Sequence, residues 1–266
     1  LVVVPLLPDR TYGPFDVLNP LQIGVLMVLI SGLSFTGWVA IRLLGARRGL
    51  GVTGLVGGLV SSTAVTLSMG ARARARPEIA ESAALAVTLA STVMFARVLV
   101  IVSVVNPALR GHVALPMLAG VGAGIAASLW LWLRSGRATT REETVALSNP
   151  FELGAALKFA LLFGVVLVGS KAATVLFGTA GTYAAGLLAG LGDVDAITLS
   201  VAKLAGEGGV PAHVAATTIF LGTAANTAVK GVMGAVIGGW NFGRRVLGAQ
   251  LAVLAAGAVG AALAWM

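Results

Sequence analysis

The sequence predicts an all-α integral membrane protein made of two fused repeats of about 130 residues, each with three long transmembrane helices and a Gly-rich broken or re-entrant segment. Three observations predict it. First, 58% of the 266 residues are hydrophobic and only 11% are charged, whereas soluble domains carry roughly 25% charged residues, so the chain lacks the polar surface that coats a globule in water. Mean hydropathy, +0.97, agrees. Second, apolar runs at 21–44, 79–105, 113–133, 151–177 and 246–266 each reach or exceed the roughly 20 residues that cross a bilayer as helix. Third, the two halves match in colinear blocks, the signature of an internal repeat.

Residues 1–18 read as the tail of an upstream segment, because Leu1 to Leu7 is apolar with neither an initiator Met nor a charged leader. Residues 19–133 form the first repeat. Asn19-Pro20 opens its first span, with Pro suited to a first helical turn; a Gly-rich segment at 51–69, a span carrying Arg97, and a third span follow. Residues 134–148, within the longest polar stretch, read as the linker. Residues 149–266 repeat the order: Asn149-Pro150 opens a span, a Gly-rich segment occupies 183–203, and spans with and without Lys230 close the chain. The match between 54–68 and 186–200 has eight identities in fifteen positions, and a weaker block sets Arg97 over Lys230.

The formal charge of +8 would point to nucleic acid in a soluble protein, but here Arg clusters in short loops, where it orients membrane helices. No nucleic-acid partner is expected. If the Gly-rich segments cross the bilayer, loop Lys and Arg divide eight against six, too even to orient the chain. If each segment enters and returns, one side holds Arg42, Arg47, Arg48, Arg72, Arg74, Arg76, Arg134, Arg137, Arg141, Arg244 and Arg245, and the other Arg10, Arg110 and Lys203. Eleven against three obeys the positive-inside rule and leaves three crossings per half, which inverts one half relative to the other. A Gly-rich helix that simply crosses would instead make the repeats parallel.

Interrupted segments at matching positions of two halves are the best sequence pointer to a transporter's binding site. Asp193 and Asp195 stand within apolar sequence, and in the repeat Ser61 and Thr63 take their positions, with Ser62 between. These side chains are good N-caps, so each set is expected to begin the second half of a broken helix. One reading brings Asp193, Asp195, Ser61, Ser62, Thr63 and Asn226 together at the midplane as oxygen ligands, the two Asp serving a hard cation such as Mg²⁺. The other has them only cap helix breaks. Arg97 and Lys230, inside apolar spans, are counter-charges to the acids or binders of an anion. Lys158 and Lys171 sit nearer span ends and snorkel.

Other chemistry has little support. With no Cys, and His112 and His213 about a hundred residues apart, a zinc site of the usual kind is excluded, and no covalent cofactor is expected. Gly190-Leu191-Gly192-Asp193 fits the Gly-x-Gly-Asp pattern of intramembrane aspartyl proteases, but no second Asp lies in another span. No enzymatic activity is expected. Glycine pairs Gly54/Gly58, Gly120/Gly124, Gly186/Gly190 and Gly234/Gly238 allow close helix packing, within the chain or in a homodimer. Trp130, Trp132, Trp240 and Trp265 lie near span ends, as an interfacial belt places them.

The motifs Leu7-Pro8-Asp9-Arg10, Tyr12-Gly13-Pro14, Asn19-Pro20, the run from Leu29 to Phe35, the run from Gly57 to Ala64, Asn149-Pro150-Phe151 and Asp193-Val194-Asp195-Ala196 give the chain a family likeness. It resembles the uncharacterised polytopic membrane domain that follows MgtC/SapB-type domains in bacterial proteins. That resemblance covers essentially the whole chain and implies a bacterial inner-membrane protein associated with magnesium or another cation. The functional expectation is an ion transporter or channel, for a divalent cation first. An anion pathway through Arg97 and Lys230, or a regulatory membrane protein that binds a partner, is the alternative.

Overall fold

The computed structural model describes residues 4–44, 50–135 and 153–266. The predicted linker beyond Ser135, the block Asn149 to Glu152, and Arg47, Arg48, Arg137 and Arg141 lie outside the described residues. Among the described residues the structure is all-helical: α1 (Pro20–Leu44), α2 (Leu50–Ala75), α3 (Ala80–Val105), α4 (Arg110–Arg134), α5 (Leu153–Gly192), α6 (Val194–Gly206), α7 (Ala212–Gly238) and α8 (Trp240–Trp265). Six stretches, in α2, α3, α4, α5, α7 and α8, are long and apolar enough to cross a membrane, and the described part of α1 is apolar as well. By length and composition this is a multi-pass membrane protein.

α3 is the most buried of these helices. It packs on α2, α4, α6 and α8, and Met94, Phe95, Val98, Ile101 and Val102 form part of the main apolar cluster with α6 and α7. Pro77 and Pro107 each open a short 3-10 turn leading into α3 and α4, where a missing N–H costs nothing. α4 returns antiparallel to α3, with Gly120 against the Phe95 ring and Gly124 against Thr92. α8 lies antiparallel to α4: Trp265 donates its indole N–H to the His112 carbonyl at 3.2 Å, and Gly260 meets Leu115, Pro116 and Ala119. α8 therefore runs with α3, as the pairs Glu81–Arg245 and Ser91–Gln250 also require.

Two of the long helices are folded on themselves. α5 reverses at Gly178, whose φ of 57° is left-handed and suits glycine. The reversal brings the Thr182 and Thr174 hydroxyls within 2.9 Å and leaves no room for a Cβ at Gly181 beside the Ala173 carbonyl. α2 breaks at Ser61, where φ is −163° and ψ is 107°. Before the break Gly54 lies on the Ala86 backbone and Gly58 on that of Ala90, so residues 50–60 climb α3 in its own direction. At the break, Ser62 and Met94 both bond Lys230 Nζ, which sets Ser62 level with Met94.

The path after the break follows from reach. Met94 stands fourteen residues into α3, about 21 Å from its start at 1.5 Å per residue. Residues 62–75 are a helix about 20 Å long, and residues 76–79 can bridge at most roughly 18 Å to Ala80. Only a return toward the start of α3 fits, so α2 is a hairpin whose ends face the same way. The second half of α5 with α6 repeats this arrangement on α7: Gly186 and Gly190 climb Thr218 and Gly222, Asp193 breaks the helix, and α6 leads back through residues 207–211 to the start of α7.

The four glycine pairs are all used inside the chain. Gly54/Gly58 and Gly186/Gly190 meet backbone, Gly120/Gly124 meet Phe95 and Thr92, and Gly234/Gly238 meet Phe242 and Val246. These faces are covered by the chain's own helices. Val at Gly54 or Gly190 must displace backbone rather than a flexible side chain, so each substitution is expected to destabilise the protein by about 3 kcal/mol or more. Gly122→Ala, where no atom stands within 4 Å, is expected to be neutral or slightly stabilising. Thermal unfolding of the three variants in one detergent checks this contrast.

Candidate functional site

The two hairpin tips meet. Ser61, Ser62 and Thr63 at the break of α2, and Asp193 and Asp195 at the α5–α6 break, line one cavity of about 120 Å³ with Arg97, Met94 and Asn226. Lys230 reaches the same place through Ser62 and Met94. Every residue expected from sequence to build a site is thus brought to it. Arg97 and Met94 lie near the middle of α3, and Asn226 and Lys230 near the middle of α7.

Each break is held by the side chains that sequence singled out. Ser61 is extended and its Oγ accepts the Ala64 N–H at 3.2 Å. Asp193, at φ −150° and ψ 117°, caps α6: its Oδ1 accepts the N–H groups of Asp195 at 2.7 Å and Ala196 at 3.1 Å. The half-helices that end at the breaks need donors for their last carbonyls. Arg97 Nη1 donates to the Leu59 carbonyl at 3.0 Å, and Asn226 Nδ2 to the Gly190 carbonyl at 2.8 Å. Capping and site building use the same residues, so the two readings of the sequence are not exclusive.

The charges balance within a small volume. Arg97 Nη2 forms an ion pair with Asp195 Oδ2, both side chains being 11% exposed. Lys230, 1% exposed, gives its ammonium to Ser62 Oγ at 2.6 Å and Met94 Sδ at 2.8 Å. Arg97 comes from α3 to the tip of the second hairpin, and Lys230 from α7 to the tip of the first. Two acids face two bases, and the N-terminal ends of residues 62–75 and of α6 add positive potential. Arg97 Nε is buried with no hydrogen-bond partner among the described residues.

A resident divalent cation does not fit this donor set. Asp193 spends one carboxylate oxygen on backbone N–H groups, Asp195 is bound to Arg97, and the Lys230 ammonium sits among the hydroxyls. No three His, Cys, Asp or Glu side chains converge among the described residues. An ion that enters must compete with the internal cations rather than fill a vacant cage.

Three participants were not legible in sequence. Met94, a thioether facing an ammonium, has no motif; its position 132 residues before Asn226, the same spacing as from Ser61 to Asp193, is the signal that could have found it. The Leu59 and Gly190 carbonyls are backbone and carry no sequence mark. Glu81, in the first turn of α3, pairs with Arg245 at 3.3 Å. Of the two lysines expected to snorkel, Lys158 is exposed and Lys171 half-buried.

Removing one partner of a buried ion pair strands the other. Arg97→Gln and Asp195→Asn are each expected to cost about 3–5 kcal/mol, and the double variant much less than their sum. Chemical unfolding of the two single variants and the double variant in detergent measures that coupling.

Comparison with known proteins shows the family. Residues 28–238, most of the chain, match the family described as a domain of unknown function, DUF4010. An uncharacterised protein of Aquifex aeolicus (strain VF5) is 30% identical over 179 residues, which span 67% of this chain and 78% of that protein. No solved structure matches. The chain is a member of the DUF4010 family.

Proposed function

We propose that this protein is an ion transporter or channel of the bacterial inner membrane, built as two inverted repeats whose hairpin tips enclose the ion's path. A constant offset supports the repeat. Asp193 stands 132 residues after Ser61, Gly186 and Gly190 stand 132 after Gly54 and Gly58, and α7 begins 132 after α3. Contacts support inversion. Residues 62–75 run back along α3 yet alongside α7, since Ser62 meets Lys230 and Arg74 donates to the Val236 carbonyl; α3 and α7 therefore point in opposite directions. Their third spans, α4 and α8, are antiparallel too. At this offset Arg97 and Lys230 are one residue out of register, and their equivalence is one of role: each reaches the opposite hairpin.

The observation that carries the function is the Arg97–Asp195 pair across the two tips. Irregular backbone at membrane depth survives where it lines a cavity, and broken helices meeting at the midplane are the architecture of secondary transporters. Because the charge is already balanced, the favoured cargo is a proton or small cation that takes Asp195 from Arg97, in place of the divalent ion expected first from sequence. The freed Arg97 then repels a second cation, and its return to Asp195 expels the first. An anion pathway has one specific observation behind it: both half-helix N-termini line the cavity together with Arg97.

Flux into proteoliposomes, with cation and anion replaced one at a time, separates these readings. A cation pathway predicts that Asp195→Asn lowers flux about 100-fold, the scale of a lost buried charge partner, and that flux follows the cation supplied. An anion pathway predicts that Arg97→Gln does so while Asp195→Asn retains flux. No flux above protein-free vesicles under any ion pair overturns transport and leaves the partner-binding reading.

A further inference from the structure

A second cavity, of about 740 Å³, opens between α4 and α8 at the end of the molecule where α3 begins. At the other end the same two helices close tightly, with Gly257 and Gly260 against Pro116 and Ala119. Toward Arg134 and Arg244 they splay: Gly248 has no atom within 4 Å of a Cβ position. The floor is Ala123, Ala126, Ala127, Gly248, Ala249 and Ala252, and the mouth is Trp130, Arg134, Arg244 and Arg245, with Glu81 at its edge. From Arg134 to Ala123 the groove runs about 16 Å along α4.

The charges at the mouth are not all spent. Arg245 is held by Glu81 and Asn241. Among the described residues Arg134 lies over the Trp130 ring at 4.3 Å, and Arg244 bonds Asn241 Oδ1 at 3.2 Å. Both Arg134 and Arg244 are exposed. Among the described residues the mouth therefore carries two net positive charges above an apolar trough on the outward face of membrane-spanning helices. A soluble anion would gain nothing from the trough, and a neutral lipid nothing from the arginines. Basic pockets between transmembrane helices receive acidic head groups in this way.

We propose that this groove binds an anionic glycerophospholipid, its phosphodiester held by Arg134 and Arg244 and one acyl chain lying along the alanines toward Ala123. Trp130 forms the wall where head group and chain meet. At the opposite end of the helix pair, where Arg110 begins α4 and Trp265 ends α8, Gly257 and Gly260 lie against Pro116 and Ala119 and close the trough, so the site belongs to one leaflet.

The test uses the full chain with Trp130 as its only Trp, the other four changed to Phe, in phosphatidylcholine vesicles doped with chain-brominated lipid. Brominated phosphatidylglycerol is expected to quench Trp130 at a far lower mole fraction than brominated phosphatidylcholine. Arg134→Gln with Arg244→Gln should reduce that preference by roughly 30-fold, the strength of two cations at an anionic surface. Gly248→Leu, which fills the trough and keeps both arginines, should weaken quenching by both lipids. Equal quenching by the two lipids before any Arg is changed overturns the proposal, and that comparison needs only the single-Trp protein. A preference that survives the double substitution, or displacement of the lipid by soluble glycerol phosphate, also overturns it.

Discussion

A helix interrupted inside a bilayer leaves N–H and C=O groups that no water can receive, and the arrangement around Ser61 and Asp193 is organised by that constraint. Four kinds of residue meet it. Ser61 and Asp193 take the amides that begin each returning half-helix, and Arg97 and Asn226 take carbonyls that end each entering one. Glycines at 54, 58, 186 and 190 let those entering halves lie on the backbone of α3 and α7. That closeness is what brings Leu59 and Gly190 within reach of side chains from the middle of the neighbouring helix.

Once the backbone is satisfied, the charges have little freedom. Arg97 cannot serve Leu59 without standing beside Asp195, and Lys230, buried on α7, finds Ser62 because the first hairpin tip lies against it. The site is thus electroneutral and tied across the two tips. Neutrality is what allows two acids and two bases at membrane depth. The same neutrality separates this centre from the groove at the end of α4 and α8, where Arg134 and Arg244 have no acidic partner among the described residues.

Much of this was legible in sequence because the cost of polar groups in lipid is high. Ser61 to Thr63 and Asp193 to Asp195 stood out as polar residues inside apolar runs, and their match across the chain located both breaks. Arg97, Lys230 and Asn226 stood out for the same reason. The reversal at Gly178 did not, since one glycine among many in an apolar stretch has no distinguishing neighbour; only its left-handed φ marks it. Met94 and the two carbonyl acceptors are apolar or backbone in sequence and acquire a role only when a cation from another helix arrives. The groove at Arg134 was hidden because its arginines read as loop charges that orient the chain, and its floor as ordinary alanine.

Side-specific labelling of this Cys-free chain tests directly whether the two hairpins enter and return. Single Cys residues replace Thr179 and Glu207, which flank the second hairpin, and Glu78 and Asn241, which begin α3 and α8; all four positions are exposed. With a membrane-impermeant maleimide, Thr179→Cys and Glu207→Cys are expected to label from the same side of sealed vesicles, and Glu78→Cys and Asn241→Cys from the other. Labelling of Thr179→Cys and Glu207→Cys from opposite sides would mean that the segment crosses, and would contradict the account.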